Sequence, residues 1–333
     1  MRIATYNVEW FNSLFDDNDM LIDDGTWSGR WDVTKAEQTA GLGVVFAAMD
    51  ADAVMIIEAP DTGSNRDARV ALENFAARFG LRAREAVTGF TNDTQQEIAL
   101  LFDPDVVSAV HDPQSDATVP RFDGEFQMDV DVDAHPDPIM WSKPPLEIAM
   151  TTPSGPLRLI GVHAKSKAPH GARNAAEATR ISIQNRRKQL AQCIWLRKRV
   201  DQHLAAGDDL IVLGDFNDGP GLDEYEKLFG RSGVEIVLGE NGETRLFDPH
   251  AQMVLGRSRI GAAPATARFK RKGQPYLQAL LDYIMVSPSL AAKSPRWQIW
   301  HPFDHPDCYA DDAVREALLM ASDHFPVVLD IDL

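Results

Sequence analysis

Short apolar runs alternate with amphipathic stretches along the chain. Segments 53–57 and 209–213 are apolar and rich in β-branched residues, as buried strands are, and each leads directly into polar residues. Residues 35–49 instead carry apolar side chains at helical spacing. Interleaved helices and strands, with several strands joined as hairpins, predict an α/β (α+β) protein with mixed sheets.

The same criteria predict the other elements. Strands are expected at residues 2–8, 98–102, 106–110, 146–150, 157–162, 234–238, 283–286, 298–300 and 327–331, and helices at 67–79 and in a long stretch ending near residue 203. Residues 16–34 are predicted to form a loop, and the Pro- and Asp-rich residues 111–145 a long excursion. The sequence shows no repeat, so residues 1–333 are predicted to form a single domain with long loops.

Composition bears on location. No stretch approaches the roughly 20 apolar residues that a membrane span requires, and residues 1–7 are typical of a strand rather than of a signal peptide. We therefore expect no membrane span, and a protein that is cytoplasmic as the chain stands, or secreted if a leader has been removed. No obligate protein partner is evident from the sequence.

The charge is distributed unevenly. The formal net charge of −17 argues against a protein that simply coats nucleic acid. Yet seven Lys/Arg accompany a single acid between residues 163 and 188, and six Lys/Arg with no acid occur between 251 and 281. Two basic segments on an acidic body suit an anionic ligand held at one place. The alternative is two solvated charge runs on unrelated faces.

A carboxylate and an amide follow the strand predicted at 209–213. They belong to Gly214-Asp215-Phe216-Asn217. A sheet fixes such groups while their tips stay in solvent, where a reaction could use them. The alternative is an Asx turn, in which Asp215 and Asn217 only hydrogen-bond the local backbone.

Similar polar groups occur at other strand ends. Carboxylates, amides and imidazoles follow or immediately precede short apolar strands at Asn7, Glu58, His163, Asp215, Asn217, Asp282, Asp323 and His324. A hard-cation, phosphate-handling site requires a set of this chemistry. Asn7 and Glu58 supply oxygen ligands suited to Mg²⁺, although a surface acid at a strand end is the alternative for Glu58.

Six short motifs occur in the order found in the endonuclease/exonuclease/phosphatase superfamily, which the chain resembles from end to end. They are Tyr6-Asn7-Val8, Ile56-Ile57-Glu58, Gly161-Val162-His163, Gly214-Asp215-Phe216-Asn217, Leu281-Asp282-Tyr283-Ile284 and Ser322-Asp323-His324-Phe325-Pro326-Val327. Members of this superfamily include pancreatic deoxyribonuclease, abasic-site endonucleases and inositol-polyphosphate 5-phosphatases. The resemblance implies a four-layer αββα sandwich of two mixed β-sheets flanked by helices, with the site at one edge.

The resemblance also implies a metal site and a general base. Asn7, Glu58 and Asp323 would hold Mg²⁺, for which Mn²⁺ or Ca²⁺ could substitute. Asp215 would take the proton of the attacking water, and Asn217 would hold water or phosphate.

The two histidines would then act on the phosphate. Attack on a phosphodiester needs positive charge facing the phosphoryl oxygens. The resemblance assigns this role to His324, oriented by Asp282, and a carboxylate partner both raises the pKa of an imidazole and fixes its tautomer. His163 would contact the phosphate or assist the leaving group, with a core histidine as the alternative.

Basic residues suggest phosphate contacts. The segment 163–167, His-Ala-Lys-Ser-Lys, resembles that of bacterial, often extracellular, non-specific nucleases, and 186–190 resembles their Arg-x-x-Gln-(Ala/Leu) stretch. Lys165 and either Arg186 or Arg187 would bind phosphates; as helix-surface charges they would be unremarkable. Lys143 stands where deoxyribonuclease-like members carry an arginine, and lysine lacks the bidentate fork.

These observations predict a Mg²⁺-dependent phosphodiesterase of nuclease type, hydrolysing DNA or RNA by direct attack of an activated water. Residues 257–272, with aromatic side chains nearby, are expected to track phosphates and stack on bases. Three tryptophans equally suit the wall of a small-substrate pocket: Trp27, Trp31 and Trp141. The alternative is therefore a phosphatase or phosphodiesterase acting on a small-molecule or lipid-derived phosphate. A non-catalytic binding protein would not need Asp215, Asp282 and His324 together.

Overall fold

The structure, a computed structural model, describes residues 1–128, 137–220, 229–240, 242–256, 263–271 and 273–333. Its strands are β1 (Arg2–Asn7), β2 (Ala53–Ala59), β3 (Glu85–Thr88), β4 (Glu97–Phe102), β5 (Ser108–His111), β6 (Phe126–Met128), β7 (Asp137–Ile139), β8 (Leu146–Thr152), β9 (Gly155–His163), β10 (Leu210–Asp215), β11 (Ala267–Arg271), β12 (Gln274–Ala279), β13 (Asp282–Val286), β14 (Arg296–Ile299) and β15 (Val327–Asp330). Its helices are α1 (Lys35–Met49), α2 (Ala68–Phe79), α3 (Ala175–Ala206), α4 (Gly233–Leu238), α5 (Pro249–Leu255), α6 (Pro288–Ala291), α7 (Pro306–Ala310) and α8 (Asp312–Ala321).

Most of these strands form two mixed sheets. One has six strands in the order β14-β15-β1-β2-β4-β3, and the other has five in the order β13-β10-β9-β8-β5. Each sheet contains one parallel pair, β1 with β2 and β9 with β10, among antiparallel neighbours. The pairs β6–β7 and β11–β12 stand apart from both sheets.

Alternation along the strands divides the buried residues among three layers. Ile211 and Leu213 of β10 face the core between the sheets, whereas Val212 packs with α3 on the outer face. In β2, Met55 likewise joins the inter-sheet core and Ile56 packs towards α1 and α2. Successive side chains of a strand point to opposite faces, so an uninterrupted apolar run is what a strand covered on both faces needs.

Helices cover the outer faces of both sheets. Buried residues of α1, α2 and α8 cluster with the six-stranded sheet, and those of α3 and α4 cluster with the five-stranded sheet. The predicted four-layer αββα sandwich is therefore confirmed. Among the described residues, no helix is long and apolar enough to cross a bilayer.

One predicted strand is wrong. Residues 234–238 form the helix α4, which begins after Ser232. The Ser232 side chain accepts a hydrogen bond from the Glu235 backbone, and the Glu235 carboxylate accepts from the Ser232 backbone. This capping box stabilises a helix start, and it outweighs the strand-like composition of a short apolar run.

Several elements arise in segments with weak periodicity. They are β3, the β6–β7 and β11–β12 pairs, and the helices from α5 to α8. Of these, the β11–β12 hairpin bears on the site, because Ala267 forms an isolated bridge with His324. The β12 strand is exposed along most of its length, so it lacks the alternating pattern that reveals a half-buried strand.

Candidate active site

Strand pairing brings the predicted residues to one edge of the sandwich. In the five-stranded sheet, Asp215 lies opposite His163 on one side and opposite Asp282 on the other. In the six-stranded sheet, Asn7 ends β1 beside β2, next to the bulge that contains Glu58. The carboxyl ends of two parallel pairs thus meet across the sandwich.

Unusual backbone conformations shape this edge. Gly214 has φ +134, and a Cβ there would lie 2.1 Å from the Val162 carbonyl oxygen, so a side chain is excluded. Glu58 adopts φ +61 and Asn217 φ +49, in the left-handed region that non-glycine residues seldom occupy. Such conformations persist where surrounding structure enforces them, and they cluster at functional sites.

Asp215 connects the two sheets. Its Oδ2 accepts hydrogen bonds from Asn7 Nδ2 at 3.0 Å and from Asn217 Nδ2 at 3.1 Å, and its Oδ1 accepts from the Asn217 backbone at 2.7 Å. Burial and, after it, the Asp282 carboxylate raise the pKa of Asp215 to about 7. A carboxyl group that titrates near neutrality is well matched to accept a proton from water. The local hydrogen bond expected of an Asx turn is therefore present, together with a contact from the opposite sheet.

His324 is paired with Asp282. The His324 Nδ1 lies 2.8 Å from Asp282 Oδ2, and both side chains are buried. Burial alone would lower the pKa of His324. The carboxylates of Asp282, Asp215 and Asp323 outweigh it and hold that pKa well above its usual value. The imidazole is therefore cationic at neutral pH, with Nδ1 donating to Asp282.

His163 is neutral, in contrast to the cationic His324. Its Nε2 lies 3.8 Å from Glu58 Oε1 and 3.7 Å from Asp215 Oδ2, and Lys143 Nζ lies 3.2 Å from both ring nitrogens. Burial, followed by the Lys143 and His324 charges, holds the pKa of His163 well below its usual value. Burial also lowers the pKa of Lys143. A neutral imidazole beside an ammonium group can donate only one ring hydrogen to a ligand.

Oxygen donors without protein partners face this edge. Within the described chain, Asn7 Oδ1 and Asp282 Oδ1 are buried without a hydrogen-bond partner. Glu58 Oε2 accepts from Gln96 Nε2 at 2.7 Å, and burial raises the pKa of Glu58. Carboxylate and amide oxygens are the donors that hard divalent cations prefer, so this set fits such an ion.

A second grouping of donors overlaps the first. Ligand atoms of Asp215, Asp282 and His324 lie within 4.8 Å of one another, close enough to share a cation. The Nδ1 of His324 is already engaged by Asp282, however, and the charge on this imidazole opposes metal binding. The unpartnered amide oxygen of Asn7, together with Glu58, suits a cation better.

A cavity of about 680 Å³ opens onto these groups. Its polar wall includes Asn7, Glu58, Lys143, His163, Asp215, Asn217, Asp323 and His324. The facing wall is apolar and contains Phe269 and Leu277 of the β11–β12 hairpin, with Ala279 and Leu281. Asp282 lies behind His324 and is not part of the lining.

Only some of the basic residues predicted to contact phosphate line the cavity. Lys143 lines the cavity, whereas Lys165 and the exposed Arg187 do not. Arg186 is fully buried, and its Nη1 lies 2.6 Å from Asp218 Oδ1 in an ion pair inside the fold, so its contact with phosphate stays a prediction. Trp141 is also buried and belongs to the core around α3, so it does not wall a pocket.

Three further residues contribute to the site without having been predicted from the sequence. Lys167 lines the cavity and pairs with Asp218 at 2.6 Å. Buried Gln189 donates to the backbone oxygens of Lys165, Phe216 and Asn217, which ties two loops of the site together. Glu9 lines the cavity, and burial followed by Asp323 raises its pKa to about 7. Lys167 and Gln189 belong to the quoted motifs, but their orientation depends on tertiary packing.

Solved structures share this architecture. The 3'-5' exonuclease NExo from Neisseria meningitidis is 16% identical with a TM-score of 0.53, and 100% of each chain is covered. An AP endonuclease from Archaeoglobus fulgidus is 13% identical with a TM-score of 0.52, also with 100% of each chain covered. Truncated TDP2 from Caenorhabditis elegans is 11% identical with a TM-score of 0.52, covering 98% of this chain and 96% of that one. At these identities the likeness establishes the fold.

Sequence comparison establishes the family. No curated protein matches the chain by sequence. Residues 4–324 match the Endonuclease/Exonuclease/phosphatase family, a span that includes every residue of the polar wall. The chain therefore belongs to the endonuclease/exonuclease/phosphatase family and is a metal-dependent phosphoester hydrolase.

Proposed function

We propose that the protein is a Mg²⁺-dependent phosphodiesterase of nuclease type, which hydrolyses DNA or RNA by direct attack of an activated water. We further propose that residues 1–333 act as one catalytic domain, since the site draws side chains from both sheets. One observation carries the proposal: Asp215, whose pKa is raised to about 7, shares a cavity with the cationic His324. Direct hydrolysis needs both a base and a fixed positive charge.

Asp215 acts as the general base in this proposal. Asn7 and Asn217 both donate to its Oδ2, so the carboxylate is held in one orientation. A water beside this carboxylate gives up a proton as it attacks phosphorus. Positioning of this kind lowers the entropic barrier to attack.

The cationic side chains stabilise the developing negative charge. The cationic His324 donates its Nε2–H to a phosphoryl oxygen, while Asp282 holds the ring through Nδ1. Neutral His163, with Lys143 beside it, contacts the phosphate or assists the departing oxygen. Fixed donors in a partly buried cavity act without reorganising during the reaction.

A divalent cation fits the neighbouring oxygen donors. The unpartnered Asn7 Oδ1 and the carboxylate of Glu58, with Asp323, would hold it. When bound, such an ion supplies Lewis-acid charge at a phosphoryl or leaving-group oxygen. Mg²⁺ is proposed because it favours few protein ligands and retains waters; Mn²⁺ or Ca²⁺ could substitute.

A second candidate function is hydrolysis of a small-molecule or lipid-derived phosphate. The cavity volume of about 680 Å³ and the apolar wall with Phe269 favour it, since such dimensions are typical of small-ligand sites. The substitution of lysine for arginine at Lys143 also suits looser phosphate contact.

The test compares substrates and two matched variants. Plasmid DNA, single-stranded RNA and bis(p-nitrophenyl) phosphate are incubated with Mg²⁺ or with EDTA. We expect cleavage of nucleic acid that EDTA abolishes and added Mg²⁺ restores. Asp215→Asn should lower kcat by about 10²- to 10⁴-fold, because it removes the base while keeping the shape. Asp209 precedes the same strand about 20 Å away and pairs with Lys293, so Asp209→Asn should leave kcat within twofold.

The outcomes separate the candidates. Turnover of the small ester alone would favour the second candidate. Near-wild-type turnover of Asp215→Asn would exclude this carboxylate as the base. Absence of turnover with any divalent metal would contradict the proposed hydrolysis altogether.

A further inference from the structure

A second cavity adjoins the active site. Its volume is about 500 Å³, and it shares Glu9, Phe269 and Asp323 with the cavity already described. One wall is the β11–β12 hairpin and the other is the loop that carries Trp27 and Trp31. The two cavities are therefore adjacent, and a ligand in one would lie next to residues that line the other.

The hairpin presents an arginine whose guanidinium stacks on aromatic rings. The Arg268 guanidinium carbon lies 3.5 Å from the centre of the Tyr276 ring and 5.3 Å from that of Phe303. The guanidinium makes no hydrogen bond or ion pair with any residue in the described part of the chain. Stacked arginines keep their in-plane N–H donors available, so the two rings can hold the side chain while its donors remain open to a ligand.

Arg268 is also tied to the catalytic residues. Its backbone N–H donates to the Asp323 carbonyl oxygen at 2.7 Å, and neighbouring Ala267 bridges to His324. The backbone of Arg268 is thereby fixed relative to Asp323 and His324. A free surface arginine would have no such constraint.

The opposite wall offers an aromatic face. Trp31 is 58% exposed, and Lys270 Nζ lies 4.6 Å from its ring centre while pairing with Asp32 at 3.3 Å. The exposed indole of Trp31 presents a large aromatic surface to the second cavity. It is well suited to stack on a base, which requires a base that is not already paired and stacked in a duplex. Of the other basic residues in segment 257–272, Arg271 is exposed at the end of β11, and Arg257, Arg259 and Lys272 lie outside the described residues.

We propose that the second cavity binds the nucleotide next to the scissile phosphate of a single-stranded nucleic acid, with Arg268 on its phosphate and Trp31 on its base. This inference rests on the proposed nuclease function and specifies its substrate. A small phosphoester has one phosphate, which would occupy the catalytic cavity. Arg268 would then have no ligand. A polynucleotide supplies a second phosphate and a base at the adjacent position.

The experiment measures steady-state kinetics with Mg²⁺ on three substrates. They are a single-stranded DNA decamer, an RNA decamer of the same sequence, and bis(p-nitrophenyl) phosphate. Wild-type enzyme is compared with Arg268→Ala, Arg268→Lys and Arg315→Ala. Arg315 is the matched control, since it lies 5.4 Å from the Tyr309 ring centre but already pairs with Asp312 and lines neither cavity.

For Arg268→Ala we expect KM for at least one decamer to rise about tenfold or more, with kcat changed less than threefold. The slope of log(kcat/KM) against log[salt] should become shallower by about 0.7, the value for one phosphate contact on a single strand. Arg268→Lys should recover part of the loss in KM. Kinetics on the small ester, and all kinetics of Arg315→Ala, should stay within twofold of wild type.

Three results would overturn the inference. Equal losses of Arg268→Ala on the decamers and the small ester would show that Arg268 acts on the active site as a whole. Unchanged decamer KM in a nuclease-active enzyme would remove Arg268 from the substrate site while leaving the proposed function intact. Wild-type enzyme that hydrolyses only the small ester would contradict the proposed nuclease function and this inference together.

Discussion

Two histidine–aspartate pairs in this protein share one geometry and differ in charge state. In both, the histidine Nδ1 lies 2.8 Å from a carboxylate Oδ2, in His324–Asp282 at the active site and in His203–Asp208 at the end of α3. Each imidazole is buried. Yet the pKa of His324 is held well above its usual value, and the pKa of His203 is lowered.

The surroundings explain this difference. Burial is the largest influence on both rings, and it lowers both pKa values. His324 has Asp215 and Asp323 nearby in addition to Asp282, and together they outweigh burial. His203 has one carboxylate, on a side chain that is 37% exposed, and the cations Arg158 and Arg199 oppose protonation.

A hydrogen bond to aspartate therefore does not by itself make a histidine cationic. In both pairs the carboxylate orients the ring, because it accepts the Nδ1 hydrogen, and in neutral His203 it also fixes the tautomer. Charge state depends on the sum of all neighbouring charges set against desolvation. The active site achieves a cationic imidazole by grouping three carboxylates around His324.

The largest expected contrast concerns turnover. Asp282→Asn should lower kcat by about 10²- to 10⁴-fold, because it weakens the contact that orients the His324 ring and removes the main charge that keeps the ring protonated. Asp208→Asn makes the same chemical change in the other pair and should leave kcat within twofold. Steady-state assays on the preferred substrate measure both, with circular dichroism melts to confirm folding. Equal losses in the two variants would show that these pairs affect activity through stability.

The next contrast concerns stability and pH. Because the folded-state pKa of His203 lies below its unfolded value near 6.5, the unfolded chain binds more protons at this residue as pH falls below about 6.5. The free energy of unfolding therefore decreases with falling pH, by at most about 1.4 kcal/mol per pH unit for one proton.

Two variants isolate this contribution from those of other groups. His203→Gln should flatten the pH dependence below pH 6.5, since the titrating group is gone. Asp208→Asn should steepen it, since the carboxylate that favours protonation is lost. Urea unfolding between pH 5 and 7.5 measures both effects. A parallel shift of all three curves would show that His203 does not titrate differently in the folded and unfolded states.

The sequence predicts the active-site pair but not the pair at the end of α3. Apolar strands that lead into polar residues identify Asp215, His163 and Asp282 individually, and the motif order implies the pairing of Asp282 with His324. The register that sets Asp215 opposite both His163 and Asp282 depends on strand pairing between distant segments. Arrangements of this kind are not encoded in any local pattern.

Two other features could not be predicted from composition or charge. The segment 234–238 has strand-like composition, but the capping box of Ser232 and Glu235 starts a helix there. Basic residues are visible in the sequence, yet burial distinguishes Arg186, inside the fold beside Asp218, from Arg268, unpaired among the described residues and stacked on Tyr276. Charge alone could not separate an arginine in a buried ion pair from one that stacks on an aromatic ring.

The smallest expected effect concerns the contribution of the Arg158 cation to the pKa of His203. Arg158 is one of two arginines that lower the pKa of His203, and its own partner is Asp112. Arg158→Met should raise the pKa of His203 by roughly half a unit to one unit, because it removes one cation and leaves the Asp112 carboxylate uncompensated. Arg158→Lys preserves the charge and should leave that pKa unchanged. Titration of the histidine Cε1–H resonances by NMR measures it, with His203→Gln used to assign the signal. A value unaltered in Arg158→Met would mean that Arg158 does not contribute to the charge state of His203, which burial, Asp208 and Arg199 would then set.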